Sequence, residues 1–468
     1  MRPWSSVKPL LGLLLLAAAP VAHSSRDGSE HTAVEVRETK SDSHGGSDSH
    51  GGSDARGSSD SHGGSAEAQG GKGGGDSRDS RDSRAGRQDG KQADRGGRDG
   101  SGAGRQPDRV LSETDGRGGE RRAGEVLFLG SAARLASVRG AGYQVIAERA
   151  PNSDGDVIAR IRVQSGEDVD RAVDALQALA PDAVLGANTL YYSAQGESSR
   201  GAAAPASPVP STPQPDASGA RVGVIDTGAD AAAPKLAAQL RAMRGFEGDY
   251  LPREHGTVVA SLIASSGAGL YCADVFGLDQ KGRVVASAEA ITSALDWMAA
   301  EGLRVVNISI EGPRNPVVES LVRHFIARGG LIVAAAGNSG PASPPAYPAA
   351  YAGVIAVTAL DARDRVYRRA NQGDYISFAA RGVDLPLGPH GARVSGTSYA
   401  APLVAGEIAR RLAQSPQRGS VQLVRQLQQD AVDLGAKGRD PVFGWGRLDP
   451  AYAPWPGATV LTAFGSAP

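Results

Sequence analysis

Hydrophobic and polar positions change their pattern twice along the chain. A short apolar run spans Leu10–Ala19, and almost no hydrophobic periodicity follows until about Glu125. From there Val126–Leu129, Tyr143–Ile146 and Val157–Val163 read as strands, the last alternating between two faces. Ala132–Val138, ended by Gly140, reads as a short helix. Within 167–179, Val169, Ala172, Val173, Leu176 and Leu179 fall at helical spacing and predict an amphipathic helix. Ala183–Leu185 and Thr189–Tyr192 read as closing strands. The order β-α-β-β-α-β predicts a small ferredoxin-like α+β module over 123–195.

Beyond Ala220 the strands stop alternating. Val222–Ile225, Val305–Ile310, Leu331–Ala335 and Val354–Val357 are predominantly apolar runs, with Asn307 and Ser309 the polar exceptions, and helical patterns at Ala288–Ala300 and Pro316–Arg328 lie between them. Strands buried on both faces and separated by helices predict an α/β domain over 220–468. Its sheet is mostly parallel, with helices on both sides.

Composition fills in the segments without periodicity. Residues 25–122 are dominated by Gly, Ser, Asp, Arg and His, and Ser-Asp-Ser-His-Gly-Gly recurs from Ser41, Ser47 and Ser59. Too few apolar side chains are present to offset the entropy of ordering, so a disordered tether is expected. His44, His50 and His62 could hold a divalent metal loosely, or could simply sit in a solvated linker. Residues 196–219 are rich in Gly, Ala, Pro and Ser and read as a second linker. At the start, Arg2 and Lys8 precede the apolar run, and Ala22–Ser24 supply small residues after it. Residues 1–24 therefore read as an export signal, and the protein as secreted, extracellular or periplasmic. No other stretch reaches about 18 apolar residues, so no membrane span is expected once the signal is removed. The 50 basic and 51 acidic residues nearly cancel, giving no reason to expect nucleic acid or an anionic membrane as partner. The single cysteine, Cys272, excludes an internal disulfide and reads as a buried core thiol.

Three segments of the α/β domain pair a reactive side chain with a geometry-setting turn. Asp226 ends the buried strand of Val222-Gly223-Val224-Ile225-Asp226-Thr227-Gly228, at the sheet edge where chemistry gathers in such folds. His255 opens a helix of small residues in Glu254-His255-Gly256-Thr257. Ser398 opens another in Gly396-Thr397-Ser398-Tyr399-Ala400-Ala401-Pro402, and Pro402 is expected near that helix's start. A hydroxyl nucleophile needs a base, and an imidazole, which titrates near neutrality as a residue type, can serve. A carboxylate behind it fixes the tautomer. Asn338, after Val333–Gly337, carries an amide that can donate to an oxyanion together with the Ser398 N–H.

The order Asp, His, Asn, Ser, with the Gly-Thr-Ser-x-Ala-x-Pro segment, resembles the catalytic domain of the subtilisin-like serine proteases over 220–450. Leu270–Val275, Ala346–Ala349, Gly353–Val357 and Gly444–Gly446 resemble further segments of that family. The resemblance implies a serine endopeptidase with Asp226, His255 and Ser398 as its triad and Asn338 as its oxyanion donor. Ser309, Ile310, Glu311 and Gly312 would line the substrate cleft, and proteins or peptides would be the substrates. No metal or cofactor enters the chemistry, and structural calcium is left open. The module at 123–195 resembles the family's inhibitory propeptide, making the protein's own propeptide a partner. Its end, Leu190–Ser193, is expected to lie in the cleft, with self-cleavage between about Tyr192 and Gly219.

Two positions depart from the family pattern. Val258 stands where many relatives carry a second histidine, and Glu311 where a glycine is usual. A carboxylate facing the cavity there would favour Arg or Lys before the cut. His324 and His390 lack metal-like partner spacing and read as structural. The alternative to an enzyme is a catalytically silent scaffold with a metal-binding or adhesive tether. It would be marked by a missing triad or oxyanion residue, and all four are present.

Overall fold

The computed structural model describes residues 109–149, 155–194, 219–387, 393–448 and 450. The signal-like segment, His44, His50, His62, the linker at 196–218 and His390 lie outside the described residues. Regular structure begins before the apolar pattern does. Val110 is buried and bridges to Asp279, and β1 (Ser112–Thr114) pairs antiparallel with the start of β2 (Glu120–Ser131). Disorder running as far as 122 is thus corrected for 109–122. The ordering force is polar: Arg121 is 4% exposed, and its guanidinium donates to Glu113, Asp170 and Asp168 at 2.8, 2.9 and 3.4 Å. Ion pairs between distant residues leave no hydrophobic period to read.

The module continues through α1 (Ala132–Gly140), β3 (Gln144–Arg149), β4 (Asp156–Arg162), α2 (Val169–Leu179) and β5 (Val184–Ser193). Ser131 caps α1 and Asp168 caps α2. The strands run in the order β3-β4-β2-β5, and Phe128, Leu135, Ile161 and Leu176 fill the core beneath the helices. One strand replaces the two expected after α2. Gly186 and Asn188 interrupt the β-propensity of that stretch, but both serve contacts outside the module. A Cβ at Gly186 would lie 3.0 Å from Pro316, and Asn188 is fully buried.

The larger domain contains β6 (Arg221–Asp226), β7 (Leu240–Gly245), α3 (Glu254–Ala264), β8 (Gly269–Asp274), β9 (Phe276–Leu278), β10 (Val284–Ser287) and α4 (Ala288–Ala300). It continues with β11 (Val305–Ile308), β12 (Ile310–Glu311), α5 (Pro316–Ala327), β13 (Leu331–Ala335), β14 (Ile355–Leu360), β15 (Ile376–Arg381), α6 (Thr397–Gln414) and α7 (Ser420–Asp430). Seven parallel strands run in the order β15-β14-β13-β11-β6-β8-β7. Two large apolar clusters, one around Val224, Val333 and Val404 and one around Ile225, Ile291 and Val306, account for strands that carry apolar side chains on both faces. The order reverses at β6, whose neighbours β11 and β8 both come later in the chain. Such a switch point opens a crevice at the carboxyl ends of the strands, and Asp226 stands there.

The module strand β5 continues into the larger domain. It pairs antiparallel with β2 on the module side, then with β10 (Ser287 opposite Leu190, Ala286 opposite Tyr191) and with β12 (Glu311 opposite Tyr192, Ile310 opposite Ser193). The run Val305–Ile310, expected as one strand, is therefore two. At Ser309 the chain leaves the central sheet, and β12 pairs with β5 instead. The Asn188 side chain accepts from Glu289 N at 3.1 Å, and the Asn315 amide donates to Ala187 O at 2.8 Å. The starts of α4 and α5 thereby clamp β5 between them.

Candidate active site

Asp226 and His255 meet because α3 starts against the end of β6. The Thr227 hydroxyl accepts Gly256 N at 2.9 Å. Only glycine fits at 256, since a Cβ would sit 2.0 Å from Thr227 O. His255 Nδ1 lies 2.7 Å from Asp226 Oδ1, which also accepts from Thr227 N at 2.6 Å. The carboxylate is fully buried, and the imidazole is held against the Tyr399 ring, with centroids 5.6 Å apart. This arrangement fixes one imidazole nitrogen on the carboxylate and leaves Nε2 for other work.

Ser398 is the second residue of α6, so its backbone N–H has no acceptor within the helix. Pro402 lies inside this helix rather than in its first turn. Four residues after Ser398, it has no N–H for the Ser398 carbonyl, and the Ser309 hydroxyl donates to that carbonyl at 3.3 Å instead. Val258, in place of a second histidine, packs in a side cluster with Leu262, Tyr399 and Leu403.

Asn338 follows Gly337, whose φ of 109° belongs to glycine. Thr397 grips the Asn338 Oδ1 with its backbone N–H at 3.1 Å and its hydroxyl at 3.2 Å. This fixes the amide orientation and turns Nδ2 away. Nδ2, Ser398 Oγ and His255 Nε2 are buried without a hydrogen-bond partner among the described residues. Buried polar atoms are seldom left so outside functional sites. A Cβ on Gly396 would lie 3.3 Å from Asn338 Nδ2, 3.3 Å from Ser398 Oγ and 3.6 Å from the carbonyl oxygen of Ala194. An amide donor, a hydroxyl and a peptide carbonyl converge on one small volume.

The sequence-predicted cleft residues stand beside this point. Ala194 N donates to Ser309 O at 3.3 Å, extending the pairing of Ser193 with Ile310 and of Tyr192 with Glu311. Gly312 faces the ring of buried Tyr191, where a Cβ would lie 2.3 Å from the nearest ring carbon. The Glu311 side chain is half-buried and turned toward the Asn338 turn. Its Oε2 accepts Asn338 N at 2.8 Å, its Oε1 is 3.5 Å from Ser339 Oγ, and burial pushes its carboxyl above the usual range.

Sequence reasoning missed Thr397 as the clamp on Asn338, Ala194 as the residue whose carbonyl converges with Ser398 Oγ, and Asp274. Thr397 was visible inside the Gly-Thr-Ser segment, but its acceptor is far away in the chain. Asp274 sits beside Asp226 in the β6–β8 register, accepts from Leu251 N (2.9 Å) and Phe276 N (3.1 Å), and is pushed up to about 7 by burial. Cys272 is buried, and burial pushes its thiol up to about 12, which suits a core position. His324 lies on α5, away from the triad segments. Among the described residues no group of three or more His, Cys, Asp or Glu is placed to hold a metal ion. No helix among them is long and apolar enough to cross a membrane.

Comparison with known proteins places the chain in a family. Residues 217–446 match the model of the subtilase family. Subtilisin BL of Lederbergia lenta is 33% identical over 238 residues, covering 47% of this chain and 86% of that protein. Minor extracellular protease Epr of Bacillus subtilis is 33% identical over 220 residues, covering 42% of this chain and 34% of that protein. The crystal structure of fervidolysin from Fervidobacterium pennivorans, a keratinolytic enzyme related to subtilisin, superposes with a TM-score of 0.55 at 20% identity, covering 72% of this chain and 63% of that one. The fold is thus subtilisin-like. The chain belongs to the subtilase family of serine-type endopeptidases.

Proposed function

We propose that the protein is a secreted serine endopeptidase made as a self-processing zymogen. The module at 123–195 serves as its propeptide, and the first cut falls after Ala194. The observation that carries this reading is the convergence of the Ala194 carbonyl oxygen, Ser398 Oγ and Asn338 Nδ2 within 3.6 Å of one point beside Gly396, at the end of a strand paired with Ile310–Glu311. A substrate that adds a strand to a protease cleft binds in this way. Secretion rests on the signal-like residues 1–24 and their short apolar run.

The chemistry follows from the atoms present. Ser398 Oγ attacks the carbonyl carbon while His255 Nε2 takes its proton. Asp226, on Nδ1, stabilises the imidazolium. The carbonyl oxygen gains charge and is met by Asn338 Nδ2 and the Ser398 N–H at the start of α6, which the helix dipole reinforces. The imidazolium then protonates the leaving amine, and the C–N bond breaks to give an acyl-enzyme on Ser398. Water, deprotonated by the same imidazole, attacks the ester; as the C–O bond breaks, the imidazolium returns that proton to Ser398 Oγ and the carboxylic acid product leaves.

A serine-directed fluorophosphonate tests the nucleophile. It should label Ser398 in the processed enzyme and leave Ser398→Ala unlabelled. Equal labelling of both would remove Ser398 from its role.

A further inference from the structure

We propose that Glu311 is a plug that closes the primary specificity slot, so that the enzyme cuts after small residues such as alanine. This deepens the endopeptidase reading and rests on it. Ala194 N bonds to Ser309 O, and its carbonyl oxygen and Asn338 Nδ2 lie 3.6 and 3.3 Å from one point beside Gly396, which sets the residue before the cut beside the Ser309–Glu311 segment and the Gly337–Asn338 turn. Ser309 and Glu311 share one face of their strand by alternation. From that face the Glu311 carboxylate reaches across to the turn. Its Oε2 is bound by Asn338 N at 2.8 Å and would lie 2.9 Å from a Cβ on Gly337. A glycine at 311 would leave this space open, whereas a glutamate fills it with its side chain.

The carboxylate is poorly placed to greet a basic side chain instead. One oxygen is spent on a backbone N–H, the other faces the Ser339 hydroxyl at 3.5 Å, and Arg369 already acts on its charge. The residue the chain itself presents is alanine, fully buried and packed within the apolar cluster that includes Ala335 and Ala400. The expectation of Arg or Lys before the cut is thereby replaced.

Self-processing of the full chain provides the test, because the scissile residue can be changed in place. Ala194→Phe should slow processing by at least about tenfold, the scale set by surplus methylenes in a closed pocket. Adding Glu311→Gly should restore it, while adding Glu311→Gln, which keeps the volume and removes the charge, should not. Rescue by neither variant would overturn the plug, as would rapid processing of Ala194→Arg that Glu311→Gln abolishes. Because a variant can fail to fold, the processed enzymes are also assayed on peptides Leu-Tyr-Tyr-Ser-Xaa carrying a reporter after Xaa. The kcat/KM ratio of Phe to Ala within one enzyme cancels any loss at Asn338. That ratio should rise at least about tenfold in Glu311→Gly and stay put in Glu311→Gln. An unchanged ratio in Glu311→Gly rejects the proposal alone, whereas failure of the unaltered chain to process and to cut any peptide rejects the endopeptidase reading itself.

Discussion

Thr397 holds one oxygen of Asn338 from two sides, with its backbone N–H at 3.1 Å and its hydroxyl at 3.2 Å. Thr397, next to Ser398, thereby aims the amide that the proposed mechanism turns toward the oxyanion. Thr397→Val removes half of this grip and keeps the shape. We expect kcat to fall about tenfold with KM little changed, because the amide matters only as charge develops. Asn338→Ala should cost more, and the yardstick is subtilisin itself, where loss of the oxyanion asparagine is known to cost about 10²–10³ in kcat. Steady-state kinetics on one peptide separate the effects. A rise confined to KM would remove both residues from oxyanion stabilisation.

Gly256 lets α3 touch the end of β6. In Gly256→Ala the new Cβ would meet Thr227 O at 2.0 Å, so helix and strand must part. A loss of about 2 kcal/mol in urea unfolding is expected, with lower turnover as His255 shifts from Asp226. A variant of unaltered stability and turnover would contradict this close approach.

Asp274 makes stability depend on pH in the less usual direction. Its folded-state carboxyl is pushed up to about 7 by burial, against 3.8 without it. Between those values the unfolded chain has lost this proton and the folded chain has not, so rising pH favours unfolding at this site and the effect is complete above about 7. Asp274→Asn does not titrate. Its stability relative to the parent should improve by up to the order of 4 kcal/mol between about pH 4 and about pH 8 in denaturant titrations. A difference independent of pH would contradict the shift.

Tyr191 is fully buried, opposite Ala286 of β10 and with its ring against Gly312, so the proposed propeptide role makes it a side-chain anchor of the module. Truncating a central buried aromatic commonly costs about 2 kcal/mol or more, roughly 30-fold in affinity. The module carrying Tyr191→Ala should inhibit the processed enzyme at least that much more weakly. Equal inhibition constants would place the anchor elsewhere.

Much of this was legible in the sequence because it is local. The span Ala288–Ala300 forms α4 and Pro316–Ala327 forms α5, since amphipathic spacing and the Asn315–Pro316 start are written in adjacent residues. What failed was long-range. Val305–Ile310 reads as one mostly apolar run despite Asn307 and Ser309, yet the chain leaves the sheet at Ser309, whose partners are Ser398 and Ala194. Gly186 and Asn188 look like strand breakers but are contact residues for α5 and α4. Glu311 was visible as a departure from the family. The direction of its side chain depends on a turn that the strand pattern does not contain.

The central claim is that Ser398 cuts the chain at its own Ala194 carbonyl. Its most direct measurement is N-terminal sequencing and intact mass of the full chain and of Ser398→Ala, each made in a protease-free host. The parent should yield a new amino terminus at Gln195, and Ser398→Ala should accumulate with the Ala194–Gln195 bond intact. Cleavage of Ser398→Ala at that bond and at the parent's rate would contradict the claim.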